Sequence, residues 1–359
     1  MTNLLDYLKW RGDISFDNNE PNQVDGLVFS ELTYLPFEKF IAECSEEETI
    51  SSLFEKYSAL PEAETKIGAI IPEKEIRELF TLAASCERYK NVKVKRFVNH
   101  VCKTSEKQFC AMTFVLNNEY IYIAFRGTDD TLVGWKEDFN MAFNTPIPSQ
   151  KESVEYLNCI GVRTRKKIIV GGHSKGGNLA VYASVMTSEK IKNKIAAVHS
   201  FDGPGFRNDV YEQMKDDPIA EKITNILPQG SVIGMIFSLV GKTQFIKSKG
   251  KGMYQHDGFN WEVFQKDFVP VNEPLKSSVE IHEIIDTITS QMTKEERIEL
   301  VEAIYTLVTV NDSSTLTDIS KSKLKFISGI LKADKKSKKV LWSAVSKILK
   351  EKYKKKPKK

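Results

Sequence analysis

The sequence predicts an α/β protein with a mostly parallel central sheet and helices on both faces. Two observations carry that expectation. From residue 166 onward, short apolar runs at 167–171, 195–201 and 222–227 alternate with helical patterns such as 178–186. That alternation is the grammar of parallel strands joined by crossover helices. Upstream, residues 109–116 and 120–125 are near-continuous apolar runs linked by Asn117-Asn118-Glu119. Asparagine tolerates positive φ, so this pair reads as a hairpin feeding a buried sheet.

The other elements follow in chain order. Residues 1 to about 60 read as irregular structure and short helices, with a packed segment at 29–37 and no part of a functional site. A helix is expected over 72–89: Pro72 suits a first helical position, and Ile76, Leu79, Phe80 and Ala83 fall on one face. Residues 92–98 alternate apolar with Lys and Arg, as a strand does. Past Trp261 the pattern turns helical. An amphipathic helix is expected over 278–292. Thr293 and Glu296 form a capping box that opens a helix over 295–308, packed through Ile298, Leu300, Val301 and Ile304. We therefore expect a main domain over 1–270, with 1–70 packed on it as an extension. A helical segment would follow at 271–320, then a tail at 321–359.

Bulk properties narrow the class. With 359 residues, 41% apolar and 28% charged, the composition is that of a soluble globular chain. No uninterrupted apolar run reaches the ~18 residues of a spanning helix; the nearest, 231–241, is short and holds Gly234 and Gly241. The first residues carry Asp6 and lack a basic region, an apolar core and a cleavage site, so no secretory signal is read there. Cys44, Cys86, Cys102, Cys110 and Cys159 are odd in number and scattered, as expected of reduced thiols in the cytoplasm. The net charge of +4 conceals an asymmetry: 321–359 carries sixteen lysines against Asp334 and Glu351, a local +14 that leaves −10 on the rest.

The chemistry centres on Gly172-His173-Ser174-Lys175-Gly176, a G-x-S-x-G match. Five positions match easily by chance, but here an apolar strand precedes them and a small-residue helix follows. That context makes them a nucleophile elbow of the α/β-hydrolase fold, with Ser174 as nucleophile. Such a serine sits on a strained turn, so the residues two places either side must lack bulk; Gly172 and Gly176 meet that need. The helix start aims free amides at the place where an oxyanion forms. A phosphate-binding turn does not fit: the spacing is not GxxxxGK[ST] and no acidic ribose partner follows.

A serine hydroxyl needs a base held by a carboxylate, and in this fold the order is Ser, acid, His. His199 lies inside an expected strand and His282 on an amphipathic helix, while His173 adjoins the nucleophile too closely. His256 sits in a turn-rich loop, 252–261, able to reach the elbow, and is the expected base. Asp202 ends the strand after the elbow helix and is the expected acid, with Asp209 and Asp257 as rivals. The oxyanion donors expected are the Lys175 amide and Thr128, which follows a strand end at Gly127; a plain turn at Gly127 remains the alternative. This chemistry requires neither metal nor organic cofactor.

At this point the residues resemble a known group. Phe125-Arg126-Gly127-Thr128, with Trp135 and Asp138 behind it, is similar to the class 3 lipase pattern, in which this Thr or Ser is an oxyanion donor. The elbow matches that group too. Four blocks together resemble the bacterial Mbeg-like family of lipase-related α/β-hydrolases, a domain of unknown function. They are residues 3–13, the elbow, Phe201-Asp202-Gly203-Pro204-Gly205-Phe206, and Gln255-His256-Asp257 with Trp261. The resemblance covers about 3–265. It implies the hydrolase fold and a site on Ser174 and His256, and brings no substrate. The sequence departs from the class 3 pattern near Gln229 to Ser231, where those enzymes place their acid.

The resulting expectation is a serine esterase or lipase-like enzyme, lysophospholipase activity included, working through an acyl-enzyme on a small ester or lipid. The competing reading is a scaffold at a membrane surface that keeps the fold without turnover. Phe139, Met141 and Phe143 are candidates for a lid and 231–240 for a pocket wall, although core packing explains both equally well. The tail reads as an amphipathic helix for an anionic membrane (Val340, Leu341, Ala344, Val345, Ile348 and Leu349 on one face) or as a solvated segment. A tail without arginine gives no expectation of nucleic acid binding.

Overall fold

The computed structural model describes residues 2–43, 47–65, 67, 72–129, 132–141, 144–280, 282–283, 292–293, 295–299 and 302. The lysine-rich tail, Cys44, Phe143 and most of the helix expected at 295–308 lie outside them. The capping box of that helix lies inside: Thr293 and Glu296 each donate a backbone amide to the other's side chain, at 3.0 and 3.2 Å.

Eight strands form one sheet in chain order: β1 (Glu48–Thr49), β2 (Lys93–Cys102), β3 (Lys107–Val115), β4 (Tyr120–Phe125), β5 (Lys167–His173), β6 (Ile195–Phe201), β7 (Ile223–Pro228) and β8 (Lys242–Ile246). β1 to β4 pair antiparallel, and β4 to β8 pair parallel. A small hairpin of β9 (Val263–Phe264) and β10 (Asp267–Phe268) stands apart. The helices are α1 (Leu4–Arg11), α2 (Gln23–Leu32), α3 (Ile50–Ser58), α4 (Glu73–Ser85), α5 (Leu132–Asn140), α6 (Pro148–Arg163), α7 (Lys175–Met186), α8 (Glu189–Lys192) and α9 (Asn208–Met214). This is the α/β-hydrolase arrangement the sequence predicts.

Strand order explains the layers. Parallel strands added in one direction, each with a right-handed crossover, send their connecting helices to one side. Residues of α6, α7 and α9 accordingly share one core with Ile168 and Val170 of β5. The opposite face needs another cover, and α1 to α4 supply it, sharing a second core with Ile169 and Phe201. β4 shows the alternation directly: Tyr122 and Ala124 enter the second core, Ile121, Ile123 and Phe125 the first. A strand buried on both faces has no polar positions, hence the unbroken apolar run in the sequence.

The N-terminal layer is locked by a buried ion pair. Asp25 accepts Arg88 Nε at 2.8 Å and Nη2 at 2.6 Å, and takes the hydroxyls of Tyr7 and Tyr89 as well. Arg88 also donates to the carbonyls of Ile14, Asn19 and Glu20. Breaking such a pair from one side typically costs about 3–5 kcal/mol, because the other charge stays buried.

Some elements differ from the sequence reading. The helix expected at 72–89 is Glu73–Ser85, with Pro72 just outside as its cap residue, and its buried residues are the four expected. α6 was not read from the sequence because its first turns bury Ser149, Gln150 and Ser153, which hides the apolar period. β8 is a polar edge strand whose exposure falls steadily along it instead of alternating, so no strand signal marks it.

Candidate active site

The elbow lies at the C-terminal end of β5. Ser174 has φ 56° and ψ −130°, and the helix it starts receives no cap bond from its hydroxyl. A side chain at Gly176 would strike the Phe125 carbonyl, and one at Gly172 would strike the backbone of Gly176. Strand, turn and helix can pass this closely only through glycine. Strain of this kind costs of order 1–3 kcal/mol and holds the serine side chain out of the helix.

Asp202 follows β6, the strand beside β5, and is fully buried with φ 48°. Its Oδ2 lies 2.6 Å from His256 Nδ1. Its Oδ1 accepts the Ser231 hydroxyl and the Gly234 amide, the latter at 3.1 Å. The segment after β7, which has no acid of its own, thus supplies donors to the carboxylate of β6. His256 ends a short 3₁₀ turn, Gly252–His256, and its side chain is 24% exposed. Its ring packs on that of His173, centroids 4.5 Å apart. Among the described residues no hydrogen bond joins the Ser174 hydroxyl to His256; the structure brings together Asp202 and His256, and sets His256 against the elbow through His173.

The rivals are occupied elsewhere. Asp209 pairs with Arg207 on the surface, at 2.6 and 3.0 Å. Asp257 caps the Phe259 amide and accepts from Asn260. His199 is buried toward Gly26, and burial holds it down at about 4. His282 faces the Met235 carbonyl.

Gly127 lies against the elbow: a side chain there would meet Ser174 Cβ and the His173 carbonyl. Thr128 follows, its hydroxyl donating to Asp138. The Lys175 side chain turns inward, donating to the carbonyl of Gln108 at 3.0 Å, to Gln108 Oε1 at 2.6 Å and to Glu137 Oε2 at 3.1 Å. Gln108 Nε2 in turn reaches the Gly127 carbonyl at 3.4 Å. One buried lysine therefore ties the start of α7 to the 127–128 loop; the Gly177 amide bonds the Ser174 carbonyl at 2.9 Å, and the Lys175 amide lies ahead of that first bond.

Of the candidate lid, Met141 is buried and Phe139 packs on Trp135. In the candidate pocket wall, Val232, Ile233, Met235, Ile236, Phe237 and Leu239 are half-buried. A cavity of about 840 Å³ opens away from the elbow, beside Ile169, Ala197, His199 and the β9–β10 hairpin.

Burial pushes the Asp138 carboxyl up from 3.8 to about 6, against the pull of Lys175 and Thr128. A raised folded value means the fold favours the protonated acid, a contribution lost as pH climbs through about 6. Asp138→Asn is neutral at every pH. It should match wild type in Tm near about pH 4 and exceed it near about pH 8, by the equivalent of roughly 1–2 kcal/mol. A Tm difference that does not grow over that range would show Asp138 ionising without cost.

Sequence reasoning missed Glu31 and Tyr34. Tyr34 Oη is 3.2 Å from His173 Nδ1, and Glu31 Oε1 is 3.9 Å from the same atom. Both come from the segment in which no site part was expected. α2 lies directly over β5, and nothing in local sequence announces that contact.

The profile of the Mbeg1-like family matches residues 83–306. The chain belongs to the Mbeg1-like family. Among curated proteins, none matches the sequence. Among solved structures, this Mbeg1-like protein is similar to M37 lipase, at 15% identity and TM-score 0.35, over 60% of this chain and 70% of that one. It is also similar to the N225Q mutant of MDLA from Penicillium cyclopium, at 11% identity and TM-score 0.37, over 71% and 91%. A triacylglycerol lipase from Penicillium expansum matches at 12% identity and TM-score 0.33, over 50% and 74%. Likenesses this distant carry no chemistry, which has to be argued from the side chains. No described helix is long and apolar enough to cross a membrane.

Proposed function

We propose that this protein is a serine hydrolase of carboxylic esters, acting through an acyl-enzyme on Ser174. The observation that carries the reading is the 2.6 Å bond between buried Asp202 and His256, beside a serine held at φ 56°. With Nδ1–H committed to Asp202, His256 presents Nε2 as the free base. Nε2 takes the Ser174 proton as Oγ attacks the ester carbonyl, then returns it to the leaving alcohol. Water enters by the same route and releases the acid. The hydrogen bond from the Ser174 hydroxyl to this base forms with substrate in place, since catalytic contacts commonly close only in the complex. Developing charge on the carbonyl oxygen meets the amides of Lys175 and Thr128, each typically contributing ~3 kcal/mol.

The half-buried apolar residues of 231–240 follow directly on the donors to Asp202, and Met253 and Tyr254 stand exposed beside His256. They favour a substrate with an apolar acyl chain, lipid or small ester. A fluorophosphonate probe tests the reading. It should label the intact protein, with the added mass on the peptide that holds Ser174. Wild-type protein that stays unlabelled would leave a non-catalytic scaffold as the better account, and labelling at another residue would overturn the assignment of Ser174.

A further inference from the structure

The loop bearing His256 has to aim an imidazole at Asp202 from a five-residue 3₁₀ turn whose Met253 and Tyr254 face solvent. A turn so short leaves its last carbonyls without partners of its own. Two ring N–H groups take them. Trp261 Nε1 donates to the Gln255 carbonyl at 2.8 Å, and His173 Nε2 donates to the His256 carbonyl at 2.8 Å.

We propose that His173 is a positioning residue, whose Nε2–H grips the His256 carbonyl and so keeps the His256 imidazole on Asp202. The proposal rests on reading His256 as the base for Ser174. A carbonyl only accepts, so His173 carries its proton on Nε2 and leaves a lone pair on Nδ1. Tyr34 donates to that lone pair at 3.2 Å, which sets the tautomer from the N-terminal layer. The opposite tautomer would point a lone pair at the His256 carbonyl and repel it.

Charge fits the same role. The two rings are tilted by 33° at a centroid distance of 4.5 Å, so a proton on His173 would oppose the imidazolium that forms on His256. Burial first, then His256 itself, hold His173 well below the usual imidazole range. Glu31 is buried, and its Oε1 has no hydrogen-bond partner. Burial and nearby Asp257 push its carboxyl well above the ordinary range. Among the described residues Asp202 is the carboxylate that bonds His256.

Two substitutions separate grip from packing. His173→Phe keeps a buried ring without a donor; His173→Gln places an amide donor near the Nε2 position. His173→Phe should lower kcat roughly 10- to 100-fold at nearly constant KM, the scale of a misplaced catalytic group. His173→Gln should recover most of that loss. In ¹⁵N-edited NMR the His256 Nδ1–H proton shared with Asp202 should be resolved in wild type and His173→Gln, and be lost in His173→Phe, with Tm changing little. Equal kcat and equal spectra in the two variants would overturn the role. The NMR readout needs no turnover. A protein that hydrolyses no ester yet shows this spectral pattern keeps the grip and loses the esterase reading; one that hydrolyses esters while Phe equals Gln does the reverse.

Discussion

Ser174→Ala should reduce ester hydrolysis on the order of 10⁶-fold and leave the fold intact. In the proposed mechanism the loss is large because the serine and its base act as one unit, so removing either removes covalent catalysis altogether. What survives is the background from substrate binding and oxyanion donors, on the order of 10³ over water. Stability should hardly change: the Ser174 hydroxyl gives α7 no cap bond, and alanine inherits the same positive φ with the same Cβ. Steady-state hydrolysis of p-nitrophenyl esters, read beside a melting curve, checks both halves. Residual activity above about one per cent in a folded variant would place the nucleophile elsewhere.

Asp202→Asn should cost about 10⁴-fold in kcat through a tautomer error. Every neighbour of this carboxylate is a donor. The Gly234 amide can only donate, so the carbonyl oxygen of an asparagine must stay at the Oδ1 position to receive it. The amide nitrogen then faces His256 Nδ1 and forces it to accept. The His256 proton moves to Nε2, where it points at Ser174 and blocks proton abstraction. Pre-steady-state acylation should slow as much as turnover, since the fault lies in the first proton transfer. An asparagine variant with more than a tenth of wild-type kcat would remove Asp202 from the proton path.

Local patterns made much of this molecule legible. The elbow could be read because a strained turn admits few residues and needs a strand before it and a helix after it. The six-residue apolar run of β4 could be read because both its faces are covered. Asp202 was a harder choice: its register beside the elbow depends on β6 pairing with β5, and only the folded chain shows Ser231 and Gly234 turning back onto it. Asp209 and Asp257 are rivals in the sequence, and the folded chain occupies them with Arg207 and with Phe259 and Asn260. α6 and β8 escaped because their buried or edge positions are polar, for the sake of Glu137 and of the solvent edge.

The sequence by itself determined the fold class, the strained turn that carries Ser174 and the loop that carries His256, since each depends on residues adjacent in the chain. Only the tertiary structure decided which carboxylate meets that base, and that α2 brings Tyr34 and Glu31 to His173. Those contacts follow from strand order. A sheet whose crossovers all lie on one side must have its other face covered by the N-terminal helices, and that cover places them over the end of β5.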